Sequence, residues 1–276
     1  MILRFIAVAA SLFPLLLFGQ PRSKYIGQVL TQRTFYSGSK LRYDQQGRLL
    51  DPASQCSWTL CAKIRIKDVQ ADGANLKISG ERQLLAFPKS APRQGIDVFS
   101  DPKWRFVSKQ QEDQLRSQRP VEIDVEGVGP WDDAAIDKAM ARVFLTPSEN
   151  IVDHVPDFWT SYLCNPMVPS ARCAEDPLVA STQKVGHGVS APSALTTPDP
   201  TYSEAARFAA YQGTTVLWII VTPDGHASDI KIAHAIGLGL DDKAVESVSS
   251  WTFRPGLRNR QPVPVQINVE VNFRLY

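Results

Sequence analysis

Four cysteines and four histidines are the residues here best suited to metal or redox chemistry, and their spacing points away from it. Cys56, Cys61, Cys164 and Cys173 contain no Cys-x-x-Cys pair, and His154, His187, His226 and His234 are scattered, so a zinc site lacks its usual ligand spacing. Cys164 and Cys173 instead bracket a turn-rich segment, Asn165 to Arg172, that can bring its ends together. A disulfide closing a loop of that size contributes roughly 3 kcal/mol. The pairing of Cys56 and Cys61 stays open. If Ser57-Trp58-Thr59-Leu60 is extended, five residues of strand set the two Cα atoms about 16 Å apart, beyond disulfide reach. This pair therefore needs an intervening turn or other partners.

The carboxylate pairs Asp132/Asp133 and Asp241/Asp242 have the right groups for acid–base work. Each stands at the start of an expected helix, where capping and the helix dipole account for it. Gly237-Leu238-Gly239 is no phosphate loop, because no hydrophobic strand leads directly into it and a third glycine is missing. It shapes the start of a helix instead. Arg254 and the run Arg258-Asn259-Arg260 suit either a carboxylate ligand or a solvated turn. Trp218 and Trp251 fall at core spacings, His226 in a turn and His234 on an edge strand. No Gly-x-Ser-x-Gly elbow, His-Glu-x-x-His helix or nucleotide fingerprint occurs. The expectation is a protein that is not an enzyme and needs no cofactor or metal; an enzyme would need a motif-free site within residues 25–173.

The elements that position these residues fall into an α+β pattern. The 276-residue chain carries 30 basic and 28 acidic residues, a net charge of +2, which gives no argument for nucleic acid as a partner. Residues 1–19 place Arg4 before an apolar run, Phe5 to Phe18, that ends at Gly19. That run is about fourteen residues against the roughly twenty of a spanning helix, so it reads as a signal peptide with a short inner-membrane anchor as the alternative. The expected location is periplasmic or secreted after cleavage, or anchored in the inner membrane facing the periplasm.

Residues 20–173 read as an antiparallel β domain with one amphipathic helix. Trp58 to Val69 and Leu76 to Phe87 are β-rich runs joined through Asp72-Gly73, a step suited to a tight hairpin. Val121 to Val125 alternates, and Ile136, Ala139, Met140, Val143 and Phe144 recur at helical spacing. Phe158, Trp159 and Tyr162 precede the cysteine loop in a segment expected to pack as a cap. Residues 174–197, rich in Ala, Ser, Thr, Pro and Gly, read as a linker to a C-terminal domain at 198–276. There, Thr214 to Val221 is apolar on both faces, as for a covered central strand. Val265 to Leu275 alternates apolar and polar throughout, which predicts one long strand with Gln266, Asn268, Glu270, Asn272 and Arg274 outside.

The joints of this last part carry a resemblance. Pro200-x-Tyr202 with Ala205, Gln212-Gly213-Thr214, Pro223-Asp224-Gly225, Leu240-Asp241, Trp251-x-Phe253-Arg254-Pro255-Gly256 and Val269-x-Val271-x-Phe273 together resemble the C-terminal domain of TonB-type energy transducers. The resemblance implies three antiparallel strands with two helices on one face and the C-terminal strand at an edge. It implies as partner an extended segment of an outer-membrane, TonB-dependent transporter, and on the energy side an inner-membrane proton-channel complex. Capture would be by strand addition along Gln266, Asn268, Glu270, Asn272 and Arg274, whose main chain supplies the affinity. A homodimer or envelope assembly through the same edge is the alternative.

Overall fold

The computed structural model describes residues 24–88, 95–106, 108–164, 170–173 and 182–275. The leader expected at 1–19 lies outside these, as does the first part, 174–181, of the expected linker.

In the first half, β1 (Val29–Thr31), β2 (Lys40–Tyr43), a short helix α1 (Trp58–Cys61), β3 (Lys63–Asp72), β4 (Asn75–Arg82), β5 (Leu85–Ala86), β6 (Ile96–Asp97), α2 (Lys109–Ser117), β7 (Pro120–Val125), α3 (Asp133–Val143) and α4 (Thr160–Leu163) follow one another. The main sheet has the order β1-β3-β4-β7-β2, antiparallel except for the parallel pair β2 and β7. The β3–β4 hairpin closes at Asp72 opposite Asn75, with Gly73 at φ +60° supplying the turn. Strand alternation puts Ile64, Ile66, Leu76, Ile78, Val121, Ile123 and Val125 on one face, where α3 covers them with Ala139, Met140 and Val143. Asp132 caps α3 by accepting from the Ala135 amide at 2.8 Å.

One expected element changes type. The strand begins at Lys63, and Trp58–Cys61 ahead of it is a helical turn. That turn brings the Cys56 and Cys61 Cα atoms to 6.0 Å, and the two cysteines are bonded. Cys164 and Cys173 are bonded as well, with Cα atoms 5.6 Å apart.

In the second half come β8 (Gln183–Lys184), β9 (Ser193–Thr196), α5 (Glu204–Phe208), β10 (Gly213–Val221), β11 (Ala227–His234), α6 (Leu240–Val248), β12 (Thr252–Arg254), β13 (Gly256–Arg258), β14 (Gln261–Val263) and β15 (Val265–Phe273). Their sheet runs β11-β10-β15-β8. Leu217, Ile219 and Val221 of β10, with Val269, Val271 and Phe273 of β15, enter a core with Leu240, Ala244 and Val248 of α6 and Ala205 and Ala206 of α5. Ser203 caps α5 by accepting from the Ala206 amide. The Pro223-Asp224-Gly225 turn needs its glycine: φ is +82°, and a Cβ there would lie 2.2 Å from the Phe253 carbonyl oxygen.

The same core takes in Trp58, Leu85, Phe87, Val155 and Trp159 of the first half. Trp58 and Trp159 meet edge to face at 5.2 Å, and the segment around Asp157–Leu163 packs against β11. Backbone bonds join the halves too: the Phe87 amide donates to Ile236 O at 2.9 Å and the Leu238 amide to Leu85 O at 2.7 Å. Gly237, at φ +86°, admits this contact, since a Cβ would stand 2.4 Å from Leu85 O. Gly239 then opens α6 at φ +73° with no side chain to cap it. The cap comes from the disulfide turn: Thr59 Oγ1 accepts from the buried Gly239 amide at 2.9 Å, and Ser57 Oγ donates to Asp242 at 2.7 Å.

Asp241 ties the junction inward. Fully buried, it accepts from the Ile236 and Gly237 amides at 2.9 and 2.7 Å and from the Thr215 hydroxyl at 2.8 Å. Burial pushes its carboxyl up to about 7 against those three donors, and burial likewise pushes Asp242 up to about 6. Groups raised this way hold a proton that the unfolded chain gives up near pH 4, so stability falls as pH rises from about 4 through about 7. Glu149, held down to about 2 by Arg33 first of all, acts only below the ordinary carboxylate range. The urea midpoint should therefore be higher at pH 5 than at pH 8, and Asp241→Asn should flatten that slope; equal midpoints would contradict this account. Thr59→Val, which keeps the shape but strands the Gly239 amide, should cost about 1–3 kcal/mol in the same measurement.

Candidate functional site

The C-terminal strand carries the alternating polar residues Gln266, Asn268, Glu270 and Asn272, and its edge has a definite geometry. β15 pairs with β10 without a bulge, from Val265 opposite Val221 to Phe273 opposite Gly213. Strand alternation puts Val265, Val269, Val271 and Phe273 on the helix-covered face, all buried. Gln266, Asn268, Glu270 and Asn272 stand on the other face; Gln266 is half-buried and the other three are exposed. Arg274 is exposed just beyond the strand end. Thus the five residues line one side of one strand, with Asn272 accepting from the Thr214 hydroxyl across the sheet at 2.7 Å.

Side chains alternate between faces, and main-chain groups alternate between edges. The Gln183 amide donates to Pro264 O at 3.1 Å, so Pro264 turns its carbonyl away from β10. By the same alternation Gln266, Asn268, Glu270 and Asn272 turn their amide and carbonyl groups outward, while Ile267, Val269 and Val271 bond to β10. Pro264 lacks an amide proton at a position where that loss breaks no ladder bond.

The edge is not open along its whole length. β8 lies beside it in parallel, with Gln183 opposite Val265 and Lys184 opposite Gln266. This corrects the expectation that the C-terminal strand is an edge from end to end: two residues of the segment before the domain take its first positions, which the loop-like composition of 182–197 concealed. From Ile267 to Phe273, no strand among the described residues pairs with the outer side of β15. β9 of the same segment pairs with β12.

A second correction concerns Trp218. Its place in an all-apolar strand suggested a buried core residue, but 41% of it is exposed. Leu217 and Ile219 on the helix side are fully buried. The opposite face of the sheet carries Trp218 with Asn268 on one side and Lys231 on the other, so the indole stands among polar neighbours. Together with Lys184, Val185, Gln266, Ile267 and Asn268, Trp218 lines an open recess of about 330 Å³ at the margin of the edge. Sequence reasoning missed Lys184 and Val185 because a two-residue strand has no periodicity to detect.

The other residues weighed for chemistry are dispersed. His154 Nδ1 lies 3.1 Å from Arg33 O, while His187, His226 and His234 are exposed. Among the described residues, no group of three or more His, Cys, Asp or Glu side chains could hold a metal ion. Asp133 lies in the first turn of α3, and Asp241 and Asp242 serve the junction described above.

Residues 198–275 match the family model for the Gram-negative bacterial TonB protein C-terminal. Among solved structures, the solution NMR structure of the Pseudomonas aeruginosa TonB C-terminal domain is similar to this chain, with 18% identity and a TM-score of 0.28, covering 34% of this chain and 95% of that one. No curated protein matches the chain. The matched region carries the two helices on one face of its sheet, with β10 inside and β15 toward the margin. Among the described residues, no helix is long and apolar enough to cross a membrane.

The alternation along β15 has a direct readout. In hydrogen exchange followed by NMR, the amides of Ile267, Val269 and Val271 should be protected, and those of Asn268, Glu270 and Asn272 should exchange fast. Uniform protection across 267–272 would show the outer side of β15 to be occupied.

Proposed function

We propose that this protein works in the cell envelope by capturing an extended segment of a partner protein, which adds to the TonB domain as a strand beside β15. The observation that carries the reading is the outward row of main-chain groups on Asn268, Glu270 and Asn272, with no pairing strand among the described residues. Gln266 and Arg274 flank this row, the first beside β8 and the second at the open end. Main-chain pairing of this kind recognises an extended backbone whatever its side chains. Five hydrogen bonds at about 0.5–1.5 kcal/mol each give several kcal/mol, a weak to micromolar affinity. Capture of that strength is reversible, as repeated engagement of a transporter requires.

The family match supports a partner of the outer-membrane transporter type, with an inner-membrane proton-channel complex on the energy side. It also supports a periplasmic setting, whether the chain is released by cleavage after the leader or held by it. Two disulfides agree with an oxidising compartment. The role is binding, with no reaction catalysed. Residues 20–173 serve in this reading as a folded mount for the domain at 198–276. A second reading rests on the same edge: two copies pair β15 with β15 to form a homodimer of envelope-assembly type.

Asn268→Pro tests the docking. The Asn268 amide faces outward, so proline there removes no bond to β10 and the sheet should persist by circular dichroism. Short random peptides displayed on phage and selected on the purified chain provide the ligand. Binding of the selected peptides should fall at least tenfold in the folded variant. Unchanged binding, or failure to select any peptide from the wild-type chain, would overturn strand capture. Concentration-dependent dimers that exclude the selected peptides would favour the homodimer.

A further inference from the structure

An edge that bonds only through its backbone accepts almost any extended chain, so selectivity has to come from side chains beside it. Trp218 stands where such selection would occur. It sits mid-strand on β10, directly opposite Asn268 on β15, and is 41% exposed on the face away from the helices. The exposed indole presents apolar surface to the recess beside it.

The recess beside the indole is walled by three successive rows of the sheet: Trp218 of β10, Gln266, Ile267 and Asn268 of β15, and Lys184 with Val185 at the end of β8. β8 occupies the row outside β15, the row that a captured strand would continue. Lys184, in this outer row, and Val185 just after it border the cavity that Trp218 lines. Val185, itself 51% exposed, brings an apolar group to that margin. Neighbouring strands lie about 4.8 Å apart, which puts the outer row about 10 Å from β10. Asn268, between them, is short, and diagonal contacts across a sheet fall within aromatic reach.

We propose that Trp218 is the selectivity element of the docking edge: it receives one apolar side chain of the captured strand, opposite the region of Asn268, in the recess closed on the other side by Val185. The inference rests on strand capture at β15 and adds to it a side-chain requirement. The partner class it names is an extended peptide with an apolar residue at one fixed position and polar residues tolerated elsewhere along the row.

The test uses the full chain and the same phage-displayed random peptides. Selection on wild type should yield peptides sharing an apolar residue at one position. Trp218→Ser should weaken those peptides roughly tenfold, and selection on that variant should lose the apolar preference; Trp218→Phe should restore most of the affinity. Val185→Asp, an exposed change on the opposite wall, should weaken the same peptides without touching the core. If peptides bind, Asn268→Pro abolishes binding, and both Trp218→Ser and Val185→Asp bind as wild type with the same preference, the Trp218 inference is overturned while strand capture stands. If Asn268→Pro also binds as wild type, strand capture itself has failed.

Discussion

The bond on which the rest of the structure turns is made by Thr59 to the first amide of α6. Gly239 must adopt a left-handed conformation to start that helix where it does, and it brings no side chain of its own to the helix end. A buried amide without a partner is costly, so the position demands an acceptor from elsewhere. Thr59 supplies it from a turn closed by the Cys56–Cys61 disulfide, and Ser57 of the same turn donates to Asp242. Trp58 between them goes into the shared core. A six-residue clip from the first half thus completes the helix on which the second-half sheet rests. The Asp241 carboxylate extends the connection to β10 through Thr215, so that clip, helix and central strand form one continuous set of contacts.

That arrangement explains which side of the C-terminal sheet remains available. Its helix-bearing face and the β11 side are packed by α5, α6 and the segment around Trp159. Among the described residues no strand pairs with the outer side of β15 beyond Gln266, and Trp218 on the opposite face is 41% exposed; both border the same recess. The short pairing of β8 at Val265 and Gln266 fixes where that open row begins. A captured strand in the proposed mode would meet a sheet already held by the first half of the chain, so a load on β15 would pass through the core into that half.

How much of this could be read from residue order depends on the range of the forces involved. The long alternation of β15, the Asp72-Gly73 hairpin and the capped stripe of α3 were legible because local pattern and tertiary burial agree there. The turn at Trp58–Cys61 was not: its aromatic and β-branched residues favour a strand, and the decisive constraints, a disulfide and the demand of Gly239 nearly two hundred residues away, leave no local trace. α2 escaped because Lys109–Ser117 is polar nearly throughout and buries only Leu115. Its signal was the Ser108 cap, whose hydroxyl accepts from the Gln111 amide. Of the candidate site, the side of β15 that carries the polar residues was readable. The partial cover by β8 and the exposure of Trp218 were not, because both depend on what lies beside a strand and not on the strand itself.

An unpaired edge invites uncontrolled pairing, and the chain limits the hazard by keeping this one short and polar. Pro262 and Pro264 precede it, and neither can donate a ladder bond. β8 takes the first two positions, and Glu270 places a charge at the middle of what is left. Asn268 and Asn272 on either side of it are uncharged and polar, so the row presents hydrogen-bonding groups with little apolar surface to drive non-specific association. The exception is Trp218, set one strand back behind Asn268 where a flat sheet edge from another molecule would meet the shorter side chains first. Limited length holds the main-chain contribution to a few bonds, and a side chain that reaches the indole is then the means by which one extended segment could be held in preference to others.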